Sequence, residues 1–148
     1  SIMPIEIQDG DGGIGNIIIS RGMVTDRELN DSLKRHLTHD KEKFKKYKYI
    51  LFDHTALTKM DITDETVESI AGLYADTSRV NPDPIVAMVV YVTYGAGSDL
   101  LNRHSRLHEL FIYRSCWETM VFRTKGEAVR WIKKKVRDKF GIDDLTFG

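Results

Sequence analysis

Tyr49-Ile50-Leu51-Phe52-Asp53, then a short connection, then Met60-Asp61-Ile62-Thr63 sets the topology of the chain. Four apolar residues ended by an acid read as a buried strand. Beyond Thr63, residues Val67, Ile70, Ala71 and Tyr74 stand at i, i+3, i+4 and i+7, one clean helical face. Strand, loop and helix in that order form half of a parallel crossover. The stretch also carries chemistry: Asp53, then Asp61 eight residues later, then a hydroxyl at a helix start.

The flanks repeat the alternation. Residues 3–8 alternate Ile5 and Ile7 with polar neighbours, as a half-exposed strand does. Asp9-Gly-Asp-Gly-Gly13 is a turn. Residues 16–20 contain three consecutive isoleucines, which suits a strand covered on both faces, and Gly22 is expected to break it. Thr25 with Glu28 forms a capping box, and Leu29, Leu33 and Leu37 make the stripe of a first helix. Residues 39–48, rich in lysine, read as a helix tail and a solvated connection. The second helix runs from about Ile62 to Arg79 and stops at Asn81-Pro-Asp-Pro84.

Residues 84–92 are apolar almost throughout and are expected at the centre of the sheet. Gly95-Ala-Gly97-Ser98 turns into a third helix with Leu100, Leu107 and Phe111. A short strand at 119–122 follows. Thr124 and Glu127 form a second capping box. The last helix places Ala128, Ile132 and Val136 inward and ends at Gly141.

The order is β-β-α-β-α-β-α-β-α. It predicts one α/β domain over 3–140 and a tail over 141–148. The sheet is mostly parallel and five-stranded, with an antiparallel first strand and four helices. A chain of 148 residues with 41% hydrophobic and 30% charged residues fits one globular domain with a sizeable core.

That order resembles the STAS domain, the fold of the bacterial anti-sigma-factor antagonists. Ile17-Ile-Ile-Ser-Arg-Gly22 is similar to the family's second strand and terminal glycine. Phe52-Asp53 is similar to its third strand. Met60-Asp61-Ile62-Thr63 is similar to its Asp-Ser-Ser-Gly loop. Val121-Phe122, Glu127-Ala128 and Trp131-Ile132 are similar to its last strand and helix, in the manner of a branch of short, poorly characterised bacterial proteins. The resemblance covers about residues 3–139. It implies a regulatory, non-enzymatic domain that binds a protein partner through the surface of Asp53, Asp61, Thr63 and Asp64 and the second helix. Thr63 takes the place of the family's phosphorylated serine. Ile62 and Asp64 depart from the family pattern, so the residue here, Asp61 or Thr63, is read first as a helix cap.

The competing reading is a module for a small ligand, a nucleotide or a lipid, held by the loops after the third and fourth strands. There the backbone of Gly95, Gly97 and Ser98 would face an anion, although two glycines fit a tight turn equally well. His104 and His108 stand at metal-ligand spacing with no third ligand evident, so they read as residues at the edge of a core. Asp53 and His54, adjacent on a strand, face opposite ways. Cys116 has no assignable base and reads as a small buried or edge residue. No set of acid, base and nucleophile converges, so neither an enzyme nor a cofactor is expected.

Charge is zero overall but blocked. Residues 1–33 hold two basic and six acidic groups, 34–59 eight and three, 60–100 one and seven, and 101–148 eleven and six. A patterned surface of this kind argues against nucleic acid as the partner, and the basic face around Lys133, Lys134 and Lys135 reads as solvated. No apolar run approaches ~20 residues, so no membrane span is expected. One cysteine and no signal peptide suggest the cytoplasm. A homodimer is compatible with all of this.

Overall fold

Ile17, Ile18, Ile50, Leu51, Val86 and Met88 are each at most 3% exposed, because the strands that carry them have covered faces on both sides. The computed structural model describes residues 4–90 and 98–148. Its strands are β1 (Ile5–Gly10), β2 (Gly15–Thr25), β3 (Tyr49–Asp61), β4 (Ile85–Val90) and β5 (Glu118–Phe122). They lie in the order β1-β2-β3-β4-β5. β1 is antiparallel to β2, and the other pairs are parallel. The expected single α/β domain is therefore present, with an antiparallel first pair.

Among the described residues, five segments longer than the 3-10 turn at Asp11–Gly13 are helical, one more than expected. α1 spans 26–39 and contains a π-helical turn at Asn30–Lys34. α2 is the extra one, Lys41–Phe44. α3 is Asp64–Val80, α4 is Ser98–Arg114 and α5 is Lys125–Phe140. α2 exists because Phe44 and Tyr47, 3% and 0% exposed, pull the lysine-rich connection onto the core. A solvated connection was expected there.

The caps read from the sequence hold. The Thr25 hydroxyl accepts from the Glu28 N–H at 3.3 Å, and the Glu28 carboxylate accepts from the Thr25 N–H at 3.0 Å. Thr124 accepts from the Glu127 N–H at 3.2 Å. Gly141 closes α5 with φ 69°, the left-handed conformation a glycine adopts without strain.

Two strands are longer than expected. β2 continues to Thr25, because Gly22 (φ 62°) absorbs an irregularity in the register without ending the strand. β3 does not stop at Asp53. It runs on to Asp61, and residues 56–61 pair with residues 21–25 of β2. The two strands thus extend beyond the last paired residues of β1 and β4, Ile5 and Val90. The middle position of the sheet belongs to β3. β4 lies inside the sheet beside it, with a parallel neighbour on each side and every residue buried.

Two cores result. Ile18, Phe52, Val67, Ile70, Tyr74 and Phe111 pack on one face of the sheet, under α1, α3 and α4. Ile17, Leu51, Val89, Ala128, Ile132 and Val136 pack on the other, under α5. Each aliphatic side chain removed from water contributes roughly 1.5–3 kcal/mol. The tail joins the second core through Leu145, 5% exposed, and Phe147, whose ring lies 4.8 Å from that of Tyr49.

Candidate partner-binding surface at the start of α3

Thr63 takes an extended conformation (φ −82°, ψ 160°) as the N-cap of α3. Its hydroxyl accepts from the Thr66 N–H at 3.3 Å and donates to the Thr66 hydroxyl at 3.2 Å. A helix start leaves backbone donors unmatched, and the cap satisfies one of them. The Thr63 N–H donates to Asp26 Oδ1 at 2.9 Å. That bond, more than any other, holds the Asp26 carboxyl below its ordinary range; further hydrogen bonds from Thr66 and Thr63 act the same way. The starts of α1 and α3 are thereby tied side by side.

Exposed carboxylates gather on this edge. Asp61, at the exposed end of β3, pairs in register with Thr25, next to Asp26. Asp64 pairs with Arg103 of α4 while its side chain remains 87% exposed. Glu65 is exposed, and one turn on Glu68 meets Arg106 of α4 at 3.4 Å. These two pairs bridge α3 to α4, but at the surface each is worth no more than about 1 kcal/mol.

The structure does not bring all the expected site residues together. Asp61, Thr63 and Asp64 are neighbours. Asp53 is separated from Asp61 by eight residues of continuous strand, roughly 25 Å at ~3.3 Å per residue. Its carboxylate accepts from the Thr55 hydroxyl at 2.6 Å and the Thr55 N–H at 3.1 Å, and Lys125 Nζ stands 3.7 Å away. Leu51, two residues back, belongs to the α5 core, so Asp53 lies on the face of the sheet away from α3. His54 points the other way, into the first core with Phe52.

Gly95 and Gly97 lie outside the described residues. Ser98 is the first residue of α4. The His104 side chain also lies outside them. His108 is half-buried, and its Nε2 meets no hydrogen-bond partner among the described residues. Among the described residues, no group of three or more His, Cys, Asp or Glu is placed to hold a metal ion. Cys116 is exposed. On the basic face of α5, Lys135 is engaged by Glu118 at 2.7 Å. No described helix is long and apolar enough to cross a membrane.

Beneath the α3 start, Ser20, Val24, Leu57, Met60, Ile62 and Val67 help line a cavity of ≈ 20 Å³. That is room for about one water molecule, not for a nucleotide or a lipid.

The polar links that fix the frame join residues far apart in the chain and leave little trace in the sequence. Asn81, 5% exposed, donates to the Phe44 carbonyl at 2.8 Å and the Tyr47 carbonyl at 3.1 Å, and its own carbonyl accepts from Trp117 Nε1 at 2.8 Å. His36, 4% exposed, lies between Asp40 Oδ2 at 2.9 Å and Asn16 Oδ1 at 3.1 Å. Only an asparagine closing a helix before a proline hinted at the first of these.

No protein-family model and no characterised protein sequence matches the chain. Among solved structures it is similar to the anti-sigma factor antagonist SpoIIAA in its unphosphorylated form. The identity is 10% and the TM-score 0.48, over 86% of this chain and 96% of that one.

Proposed function

We propose that the chain is a non-enzymatic regulatory domain that binds a protein partner through residues 61–66 and the adjoining face of α3. The observation that carries this reading is the junction of two helix starts by the Thr63–Asp26 hydrogen bond. It places half-buried Asp26 beside exposed Asp61, Asp64 and Glu65 as one acidic edge. The chemistry of that edge fits a basic surface on the partner, with electrostatics setting the rate and choice of encounter more than raw affinity. In this reading Thr63 serves as a cap and not as a phosphorylation switch; its hydroxyl bonds to Thr66 and the departures at Ile62 and Asp64 support it.

The ≈ 20 Å³ cavity favours this reading over a small-ligand site in the same region. Affinity capture from the source cell, with wild type and an Asp61→Arg/Glu65→Arg variant compared by mass spectrometry, tests it. A protein retained by wild type and lost with the variant supports the proposal. Equal recovery by both, or no specific protein at all, contradicts it.

A further inference from the structure

Both ring nitrogens of His36 on α1 meet an oxygen. Nδ1 lies 2.9 Å from Asp40 Oδ2, and Nε2 lies 3.1 Å from Asn16 Oδ1. An ionised carboxylate only accepts hydrogen bonds. An amide can present either end, but that of Asn16 is committed: its Nδ2 donates to the Gln8 carbonyl of β1 at 3.2 Å, which turns Oδ1 toward the imidazole. Reversing the amide would set oxygen against oxygen at Gln8. Asn16 is 0% exposed and His36 4%, so bulk water does not stand in for a lost partner. A neutral imidazole has one N–H and one lone pair. In either tautomer, one of the two contacts would place a lone pair against a lone pair. The ring satisfies both only when it carries both protons.

The groups around the ring suit a cation. Asp40 faces it from the junction of α1 and α2. From β1, Asp9 accepts from the Tyr47 phenol at 2.7 Å, and Lys43 of α2 stands 3.6 Å from Asp9. The rings of Phe44 and Tyr47 lie 5.2 and 6.3 Å from that of His36. The phenols of Tyr47 and, from α3, Tyr74 are both pushed above their ordinary range, by burial first, so both stay neutral. Two carboxylates against one ammonium leave a negative surplus beside the ring, which favours its charged form.

We propose that His36 is held in the folded chain as a buried imidazolium and that its second proton is the latch on α2. Asp40 stands between α1 and α2, and its carbonyl accepts from the Phe44 N–H at 3.0 Å. Its side chain ties that junction through the imidazole to Asn16 of β2. A ring that has lost one proton can donate to Asp40 or to Asn16, not to both, so the tie between α2 and β2 opens. The latch is complete while the proton is bound and is lost as pH rises, the behaviour expected of a histidine switch. α2 also forms one wall of a cleft of ≈ 360 Å³ with Leu37, Leu73 and Val80, so the proton governs one side of that cleft. The latch is independent of the acidic edge at the start of α3.

Two-bond ¹H–¹⁵N spectra of the full chain test the proposal, because they count the protons on each ring nitrogen. His36 is assigned among the five histidines by the signal that His36→Gln removes. The expected result is both nitrogens protonated at neutral pH. Asp40→Asn should lower the ring's affinity for its second proton about tenfold or more, and Asn16→Asp should raise it by a similar factor. Hydrogen-exchange protection factors of the Phe44 and Lys45 amides should fall as the second proton leaves, while those of β4 stay unchanged. Circular dichroism verifies that each variant is folded, and Asp40→Asn, at a half-buried position, decides alone if Asn16→Asp does not fold. A neutral tautomer of His36 in the wild type at neutral pH overturns the proposal. So does a proton affinity unmoved by Asp40→Asn, or α2 protection that stays constant when the proton is lost.

Discussion

At the scale of single residues, Asp11 and Thr63 do different kinds of work with the same device, a side-chain oxygen that accepts backbone N–H groups. Asp11, at φ 52°, accepts from Thr146 N–H at 2.6 Å, Thr146 Oγ at 2.9 Å, Phe147 N–H at 3.1 Å and Tyr49 OH at 2.6 Å. Burial raises its proton affinity, but the hydrogen bonds from Thr146, Tyr49 and Phe147 outweigh that, and its carboxyl is held below the ordinary value. A depressed carboxyl stabilises the folded form above its unfolded pKa of about 3.9 and ceases to do so as pH falls through the folded value. We expect the Thr146 and Phe147 amides to lose hydrogen-exchange protection in that acid window. Asp11→Asn should lower their protection already at neutral pH, and asparagine tolerates the left-handed backbone there. Unchanged protection of both amides in the variant would refute the tail contact. Thr63→Ala should cost about 0.5–2 kcal/mol in a urea melt. If Thr63 were a phosphoacceptor, protein from the native cell would carry a phosphate mapped to that residue by intact mass.

At the scale of elements, the helix ends were legible and the strand ends were not. Thr25, Thr124 and Gly141 were readable because a cap is a local device, decided within a few residues. The continuation of β3 past Asp53 was hidden. A strand announces itself by a period of two, whereas the buried residues of this one are His54, Leu57 and Met60, three apart. The register with β2 shows why. Between Ile19 and Arg21 β2 advances two residues while β3 advances three, from Asp53 to Ala56. A bulge of this kind resets the phase of the alternation. The Asn81 hub was equally hidden, since its partners lie 37, 34 and 36 residues away in the chain. Asn81→Ala would leave two carbonyls without their donor, and we expect a loss of about 1–3 kcal/mol in chemical denaturation. At Gly15 a Cβ would overlap the Tyr49 ring. Gly15→Ala should cost about 1–3 kcal/mol through that overlap, and a melting midpoint equal to wild type would show that the ring can move aside.

At the scale of the whole molecule, the long β2–β3 pair decides where function can lie. It carries Asp61 and Thr63 out beyond the paired part of β4 and leaves Asp53 behind, against Lys125. The site drawn from the sequence as one cluster is therefore two places on opposite faces of the sheet. The part that stays together, exposed Asp61, Thr63, Asp64 and Glu65 beside half-buried Asp26, is acidic and stands above an interior with room for about one water. That geometry supports recognition of another protein by an exposed edge. Hydrogen exchange on the complex with a captured partner measures this most directly. New protection confined to residues 24–28 and 61–68 is expected. Protection centred on β5, on α5, or spread evenly over the chain, with residues 61–68 unchanged, would contradict it.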